Sequence, residues 1–247
     1  MKRISIAVLF IFVAGFVTSP ALAKTTFISV GTGGTGGIYY PYGGGVAEIW
    51  SKYVKGVKAV AEVTGASVEN VKLAHKGETV IGEVMGDVAV AGFNGLSKFK
   101  GKKHKILSMA IMYPNLLQIV ALKSTGVSDI TQVKGRSIST GSPGSGTNFM
   151  AEAVLKALNI APDSYKDSRL SFTENANALR DGTIDVGVWS VGPGTSSILD
   201  LATTHEINML GFTPEQTEQI LAANKTYSSV ELAAGVYRGI DQPVSTI

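Results

Sequence analysis

Cysteine is absent from this chain of 247 residues, and histidine occurs only three times. Without cysteine no disulfide can form, so the fold must be held by its hydrophobic core. His75, His104 and His205 stand far apart and lack the spacing of metal ligands, which argues against a zinc site or a catalytic histidine. We therefore predict that the protein needs neither a metal nor a cofactor.

A hydrophobic run long enough to span a bilayer is also absent. The longest apolar stretch, residues 4–17, has 14 residues, whereas a membrane-spanning helix needs roughly 20. It follows Lys2 and Arg3 and leads into small residues up to Ala23, the pattern of a secretory signal peptide. We predict a signal peptide over residues 1–23, cleavage after Ala23 and a periplasmic location. Because no cysteine stands at that point, lipid attachment there is excluded.

Neither sign of charge is in marked excess. Removal of the signal peptide takes away two of the 22 basic residues and leaves 20 against 19 acidic ones, so the net charge falls from +3 to +1. This balance gives no indication of a nucleic-acid partner. The remaining chain is long enough for one large domain or two small ones.

Glycine, in contrast, is abundant, with 29 residues concentrated at 31–45 and 141–146. Residues 28–36 and 138–146 match at a constant offset of 110 in one isoleucine, one serine and three glycines. Chance similarity between two glycine-rich turns is the alternative explanation. We favour two α/β lobes, each of which opens with a strand, a small-residue loop and a helix.

Alternating strands and helices follow both loops. Short apolar runs predict strands at residues 27–30, 58–63, 88–91, 106–111, 116–122, 137–140, 170–172 and 184–189. Ser67 is predicted to cap a helix, and Thr213, Pro214 and Gln216 form the capping box of a last one. Such alternation predicts parallel sheets with helices on both faces. Because ligands bind outside the carboxyl ends of such strands, two facing lobes define a cleft.

Both loops have the chemistry of a site for a small anion. Glycines let the backbone approach a ligand closely, and amides at a helix start favour negative charge. Hydroxyl donors are added by Thr32, Thr35, Ser142, Ser145 and Thr147, while neither loop contains lysine or arginine. This pattern predicts binding of a carboxylate by N–H and O–H groups alone. Tight turns without a ligand are the structural alternative.

Three enzyme classes fit the loops less well. Gly31–Gly36 matches the G-x-G-x-x-G fingerprint of dinucleotide sites, with Glu62 at the end of the next strand, but a signal peptide directs the chain to a compartment poor in nucleotides. Gly141–Gly146 has the spacing of a phosphate loop, but Thr147 stands where its lysine belongs. A serine hydrolase using Ser145 lacks the G-x-S-x-G elbow.

Other candidates flank the loops. A tyrosine after the first loop, Tyr39 or Tyr40, is placed to cover a ligand. Ser67 and Asn70 lie one helical turn apart, and Trp189 and Ser190 follow an apolar strand; for each pair a purely structural role is an equal alternative. The complete predicted ligand-binding set is Gly34, Thr35, Gly36, Tyr39, Tyr40, Ser67, Asn70, Ser142, Gly144, Ser145, Gly146, Thr147, Trp189 and Ser190.

Five segments in a fixed order resemble one known family. They are Gly31–Pro41, Thr64–Asn70, Lys134–Arg136, Gly141–Thr147 and Asp181–Asp185, and they are similar to the TAXI family, the substrate-binding proteins of tripartite ATP-independent periplasmic (TRAP) transporters. The resemblance implies an α/β, two-lobed periplasmic binding protein fold (type II), with a mainly parallel sheet flanked by helices in each lobe and the ligand cleft between them. It also implies a small carboxylate ligand of the glutamate or 2-oxoglutarate kind, TRAP membrane subunits as partners and no enzymatic activity. A ligand-sensing module stays an alternative.

The resemblance also implies domain boundaries. Lobe 1 is expected over residues 24–115 and lobe 2 over 116–224, with residues 225–247 returning toward lobe 1. Family members continue beyond this point with helices that complete lobe 1, so lobe 1 is expected to be incomplete. The chain departs from the family where Met85 and Gly86 stand before Asp87, at a place where the family tends to be polar. We therefore expect a more apolar cleft wall there.

Overall fold

The computed structural model describes residues 25–247, so the predicted signal peptide lies outside the described residues. The first sheet contains three parallel strands in the order β2-β1-β3. The elements of this lobe are β1 (Thr26–Gly31), α1 (Tyr39–Tyr53), β2 (Val57–Glu62), α2 (Ser67–Lys76), β3 (Ile81–Gly82) and α3 (Gly86–Asn94). The strand order reverses at β1, so right-handed crossovers place α1 and α2 on opposite faces.

The second sheet contains five strands in the order β6-β5-β7-β4-β8. Its elements are β4 (Leu116–Leu122), β5 (Ser137–Ser139), α4 (Gly146–Ala157), β6 (Lys166–Asp167), α5 (Phe172–Arg180), β7 (Val186–Val191), α6 (Ser196–Thr204), β8 (Ile207–Met209) and α7 (Pro214–Ala223). Four strands run in one direction and β4 runs against both of its neighbours. The prediction of two α/β lobes with mainly parallel sheets is confirmed.

Three predicted strands do not form. Residues 88–91 belong to α3, where Val88 and Ala91 face the core at helical spacing and Gly95 ends the helix with a φ of 73°. Residues 106–111 lie in an extended segment, with Leu107 and Ile111 exposed and no hydrogen-bonded neighbour strand among residues 25–247. Residues 170–172 lead into α5, which Ser171 caps. Tertiary surroundings outweigh β-propensity at residues 88–91 and 106–111, whereas the local capping box of Ser171 and Glu174 starts the helix at 170–172.

Residues 225–247 pack differently from the prediction. They form an antiparallel hairpin of β9 (Val230–Leu232) and β10 (Val244–Thr246). Leu117 of β4 donates its amide to the Ile247 carbonyl oxygen at 2.8 Å, so the hairpin lies on the five-stranded sheet. Tyr227 reaches the first lobe, where its hydroxyl donates to Asp87 Oδ2 at 2.9 Å. Main-chain hydrogen bonds from Leu117 to Ile247 and from Phe212 to Ser245 therefore hold the hairpin on the second lobe.

Two hydrophobic clusters hold the molecule together. One joins α2 and α3 to the second lobe through residues such as Val71, Val88 and Val154. The other lies within the second lobe around the fully buried Trp189. Among residues 25–247, no helix is both long enough and apolar enough to cross a membrane.

Candidate functional site

A small cavity of about 60 Å³ lies between the two lobes, beyond the carboxyl ends of β1, β5 and β7. Both sheets reverse their strand order there, which is where open α/β sheets bind ligands. No charged side chain of residues 25–247 lines the cavity. The predicted site residues that line it are Gly34, Tyr39, Ser67, Ser142, Ser145, Gly146, Thr147 and Ser190.

Helix α4 points its N-terminus into the cavity. Ser145 caps this helix, since its Oγ accepts the Asn148 amide at 3.0 Å. The amides of Gly146 and Thr147 belong to the first turn, where no intrahelical acceptor exists. The Ser190 amide donates to Thr147 Oγ1 at 3.2 Å, which ties β7 to the same point. Together with the helix dipole, these groups favour a negatively charged ligand atom.

The first lobe supplies the opposite wall. Burial raises the pKa of Tyr39 to about 12, so its hydroxyl stays protonated. Tyr113 packs edge-on against Tyr39 with 6.2 Å between ring centroids. Ser67 does not cap α2 as predicted, because its Oγ accepts the Met85 amide at 3.1 Å. Met85 itself lines the cavity, where we expected a more apolar wall.

Sequence reasoning missed Tyr113 and Phe172, which also line the cavity. Tyr113 precedes β4 and Phe172 opens α5, and neither belongs to a loop with a binding pattern. Only the packing of the lobes brings these two rings to the site, so no local signal could have identified them.

Asn70 was predicted to bind the ligand, but the structure gives it a different task. Its side chain is fully buried, and its Nδ2 donates to the carbonyl oxygens of Gly31 at 3.1 Å, Thr32 at 2.8 Å and Glu83 at 2.8 Å. The Thr64 hydroxyl donates to Asn70 Oδ1 at 2.7 Å. With every polar atom used in this way, Asn70 holds the backbone of the first loop from behind and does not face the cavity.

Trp189 is likewise absent from the cavity. Its ring is fully buried, and its Nε1 donates to Ser197 Oγ at 3.1 Å. Successive side chains of a strand point to opposite faces. Because Ser190 faces the cavity from β7, Trp189 must face the other side, in the core of the second lobe.

The other predicted residues lie around the cavity and not in it. Thr35 and Gly36 line a separate, open depression beside α5 and α6. Tyr40 is 37% exposed. The Gly144 carbonyl oxygen accepts the amides of Val68 at 3.0 Å and Glu69 at 3.3 Å, so it joins the lobes directly.

Close approach between the lobes explains several glycines. A Cβ at Gly36 would overlap Thr173 Oγ1, one at Gly37 would lie 2.9 Å from the Phe172 ring, and one at Gly192 would lie 2.7 Å from Ile38 Cδ1. Each pair joins one lobe to the other. The glycine clusters therefore allow the lobes to close as well as the backbone to approach a ligand.

Glu83 is a buried carboxyl group behind this wall. It is only 4% exposed, and neither carboxylate oxygen has a hydrogen-bond partner among the described residues. Burial disfavours the charged form and raises the pKa of Glu83 from 4.5 to about 8. At neutral pH the folded protein therefore carries a proton on this group.

We expect Glu83→Gln to change how stability depends on pH. Between pH 4.5 and about 8 the folded state holds a proton on Glu83 that the unfolded state has released, so the free energy of unfolding falls as pH rises through this window. Glutamine does not titrate. In thermal unfolding experiments, the melting temperature of the variant relative to that of the wild type should rise between pH 5 and pH 8. If the melting temperatures of the two proteins change with pH in parallel, the pKa of Glu83 in the folded protein is not raised.

Two α/β lobes that close on a cavity at their strand ends define the architecture of periplasmic binding proteins. The chain belongs to the NMT1-like family, whose profile matches residues 30–247.

Solved structures of binding proteins share the fold at low sequence identity. The alkanesulfonate-binding protein SsuA from Xanthomonas axonopodis pv. citri is 14% identical, with a TM-score of 0.50 over 76% of this chain and 61% of its own. A candidate L-cystine ABC transporter protein from Listeria monocytogenes is 15% identical, with a TM-score of 0.53 over 82% and 90%. An ancestral arginine-binding protein is 16% identical, with a TM-score of 0.51 over 80% and 90%. At these identities the likeness concerns the fold.

Proposed function

We propose that this protein is an extracytoplasmic solute-binding protein that captures a small carboxylate between its lobes and has no chemistry of its own. The observation that carries the proposal is the N-terminus of α4, which points amides and the hydroxyls of Ser145 and Thr147 into a cavity that no charged side chain of residues 25–247 lines. Neutral donors in a space shielded from water hold an anionic group well. The small volume favours a metabolite over a peptide.

Delivery to a membrane transporter is the second part of the proposal. The five sequence segments similar to TAXI proteins favour TRAP membrane subunits, whereas proteins of ABC transporters are among the similar solved structures. Uptake into vesicles that contain either type of transporter distinguishes the two, because an ion gradient drives the first and ATP the second. A sensing role predicts ligand binding with no uptake through either.

Binding itself is tested with a panel of small carboxylates. We expect a few mono- and dicarboxylates, keto acids or amino acids to raise the melting temperature, because a ligand that binds only the folded state stabilises it. Sulfonates and phosphonates of matched size belong in the panel, since some proteins of this fold bind such anions. If no carboxylate changes the melting temperature, the proposal fails.

Thr147→Val is expected to weaken binding of the best carboxylate by about tenfold, the loss of one hydrogen bond to a charged group. The substitution keeps the shape of a side chain that lines the cavity and removes its hydroxyl, which also accepts the Ser190 amide, so thermal unfolding of the variant measures that separate loss. Thr203→Val, on the exposed part of α6, is the matched control and should bind like the wild type. Isothermal titration calorimetry measures both, and equal affinities would remove Thr147 from the site.

The hydrolase alternative lacks a base. Ser145 uses its Oγ to cap α4, and none of the three histidines lines the cavity. His75 and His104 pack against each other with 4.8 Å between ring centroids, and His205 contacts the Thr204 hydroxyl. A serine without a base within reach is a weak nucleophile, so binding is the better supported function.

A further inference from the structure

The unpartnered carboxyl group of Glu83 lies next to the ligand site. The Glu83 amide donates to the Gly31 carbonyl oxygen at 2.9 Å, which places the residue where the chain leaves β3. A Cβ at Gly43 would lie 3.1 Å from Glu83 Oε1, so the absence of a side chain at Gly43 makes room for the carboxyl group beneath the start of α1. Tyr39, which lines the cavity, lies one turn earlier on that helix.

Several buried polar atoms near this wall have no hydrogen-bond partner within the described part of the chain, and each of them can accept a hydrogen bond once Glu83 has lost its proton. Glu83 Oε1 and Oε2, Asn115 Oδ1 and the Tyr113 hydroxyl are buried and have no hydrogen-bond partner in residues 25–247. Leaving such groups unpaired costs free energy. The arrangement therefore suits a ligand group that donates several hydrogen bonds.

No cation of the described chain faces Glu83. The titratable groups around it are the phenols of Tyr39, Tyr42 and Tyr113, with Asp87 beyond Tyr39, and no salt bridge within residues 25–247 involves it. Glu83 is close enough to Tyr39 and Tyr113 to contribute to the raised pKa of both hydroxyls. Tyr39 and Tyr113 line the cavity, whereas Glu83 does not.

The two walls of the cavity thus differ in polarity, with donors at α4 and acceptors behind Tyr39 and Tyr113. We propose that Glu83, with Asn115 and Tyr113, binds the ammonium group of an amino acid whose carboxylate lies at the N-terminus of α4. The Tyr113 hydroxyl has no hydrogen bond to hold it among residues 25–247, so the ring changes rotamer as the ligand enters, and its hydroxyl and Glu83 both face the ammonium group in the closed state. This inference rests on the proposed function, and it narrows the ligand from carboxylates in general to amino acids.

Pairs of ligands that differ only in the amino group test this assignment. Calorimetry at pH 7 with L-glutamate against 2-oxoglutarate, and with L-alanine against pyruvate, should show at least tenfold tighter binding of the amino acid in the pair that binds. In Glu83→Gln this ratio should fall to about one. Glu48→Gln, on the exposed side of α1, is the matched control and should keep the ratio.

Proton release gives a second, independent readout. Glu83 must ionise to pair with an ammonium group, so amino-acid binding at pH 7 should release a proton, measured as a heat that depends on the ionisation enthalpy of the buffer. The variant should release none. Thermal unfolding checks that the variant is folded, since glutamine removes a buried titrating group and leaves the shape unchanged.

The possible outcomes distinguish a failure of this inference from a failure of the proposed function. If wild type binds amino acids and keto acids equally, or if Glu83→Gln lowers both affinities by the same factor, the ammonium site is wrong while carboxylate binding stands. If no amino acid binds while another carboxylate of the wider panel does, the ammonium site is wrong as well. If no carboxylate binds at all, both the inference and the proposed function fail.

Discussion

Replacing Gly146 with valine is expected to reduce ligand affinity by at least a hundredfold while leaving each lobe folded. A Cβ at this position would overlap Met85 Sδ and lie 2.7 Å from Ser67 Oγ, both across the cleft. Gly146 opens α4 at the edge of the cavity, so valine acts as a wedge between the lobes. Binding in this architecture depends on closure, which surrounds the ligand and removes water from its hydrogen bonds.

The experiment has a matched control in the same chain. A Cβ at Gly45, in α1, would meet no atom within 4 Å, and this residue lies outside the cavity, so Gly45→Val should bind normally. Calorimetry gives the affinities, and small-angle X-ray scattering shows whether the Gly146 variant stays open when ligand is added. If the Gly146→Val variant closes and binds like the wild type, closure does not depend on the close approach of Gly146 to Met85 and Ser67.

Asn70→Asp is expected to lower the free energy of unfolding by about 3 kcal/mol or more, because buried groups left without partners cost about 1–3 kcal/mol each. The change keeps the side-chain shape but replaces the amide that donates to Gly31, Thr32 and Glu83 with an acceptor oxygen facing three carbonyls. Equilibrium unfolding in urea measures the loss. Part of the stability should return as the pH is lowered toward 4, because burial among carbonyl oxygens raises the pKa of the aspartate and favours its protonated form in the folded state.

Asn177→Asp is the control for this substitution. Asn177 is exposed on α5 and accepts a hydrogen bond from Arg180 Nη1 at 2.8 Å, so a carboxylate there should change stability by no more than about 0.5 kcal/mol. If Asn70→Asp unfolds like the wild type and loses only ligand affinity, Asn70 belongs to the site after all.

Several local features could be predicted because their causes lie within a few residues. The strand at residues 116–122 is confirmed to the residue as β4. Thr213 and Gln216 form the predicted capping box at the start of α7, since a capping box depends only on residues three apart. The strand predicted at residues 88–91 is wrong because a short β-branched run fits a strand or a buried helix equally well, and packing makes the choice.

The second loop shows how much of the site could be predicted from local sequence. Ser145, Gly146 and Thr147 combine a helix cap, a glycine and a hydroxyl in adjacent positions, and all three line the cavity. Their spacing sets their geometry, so the prediction needed no knowledge of the other lobe. Ser67 and Asn70 share a helix turn in the same way, yet only Ser67 lines the cavity, because the direction of Asn70 depends on carbonyls that lie far away in the sequence.

By itself, the sequence determined that this is a chain without disulfides, with two strand-loop-helix units and with an uncharged set of donors at the start of α4. Those features follow from composition, periodicity and short-range capping. Only the tertiary structure decided that Asn70 and Trp189 turn away from the ligand, that Tyr113 joins the site and that Glu83 lies buried without a partner among residues 25–247. These depend on contacts between residues distant in the chain, which no local pattern encodes.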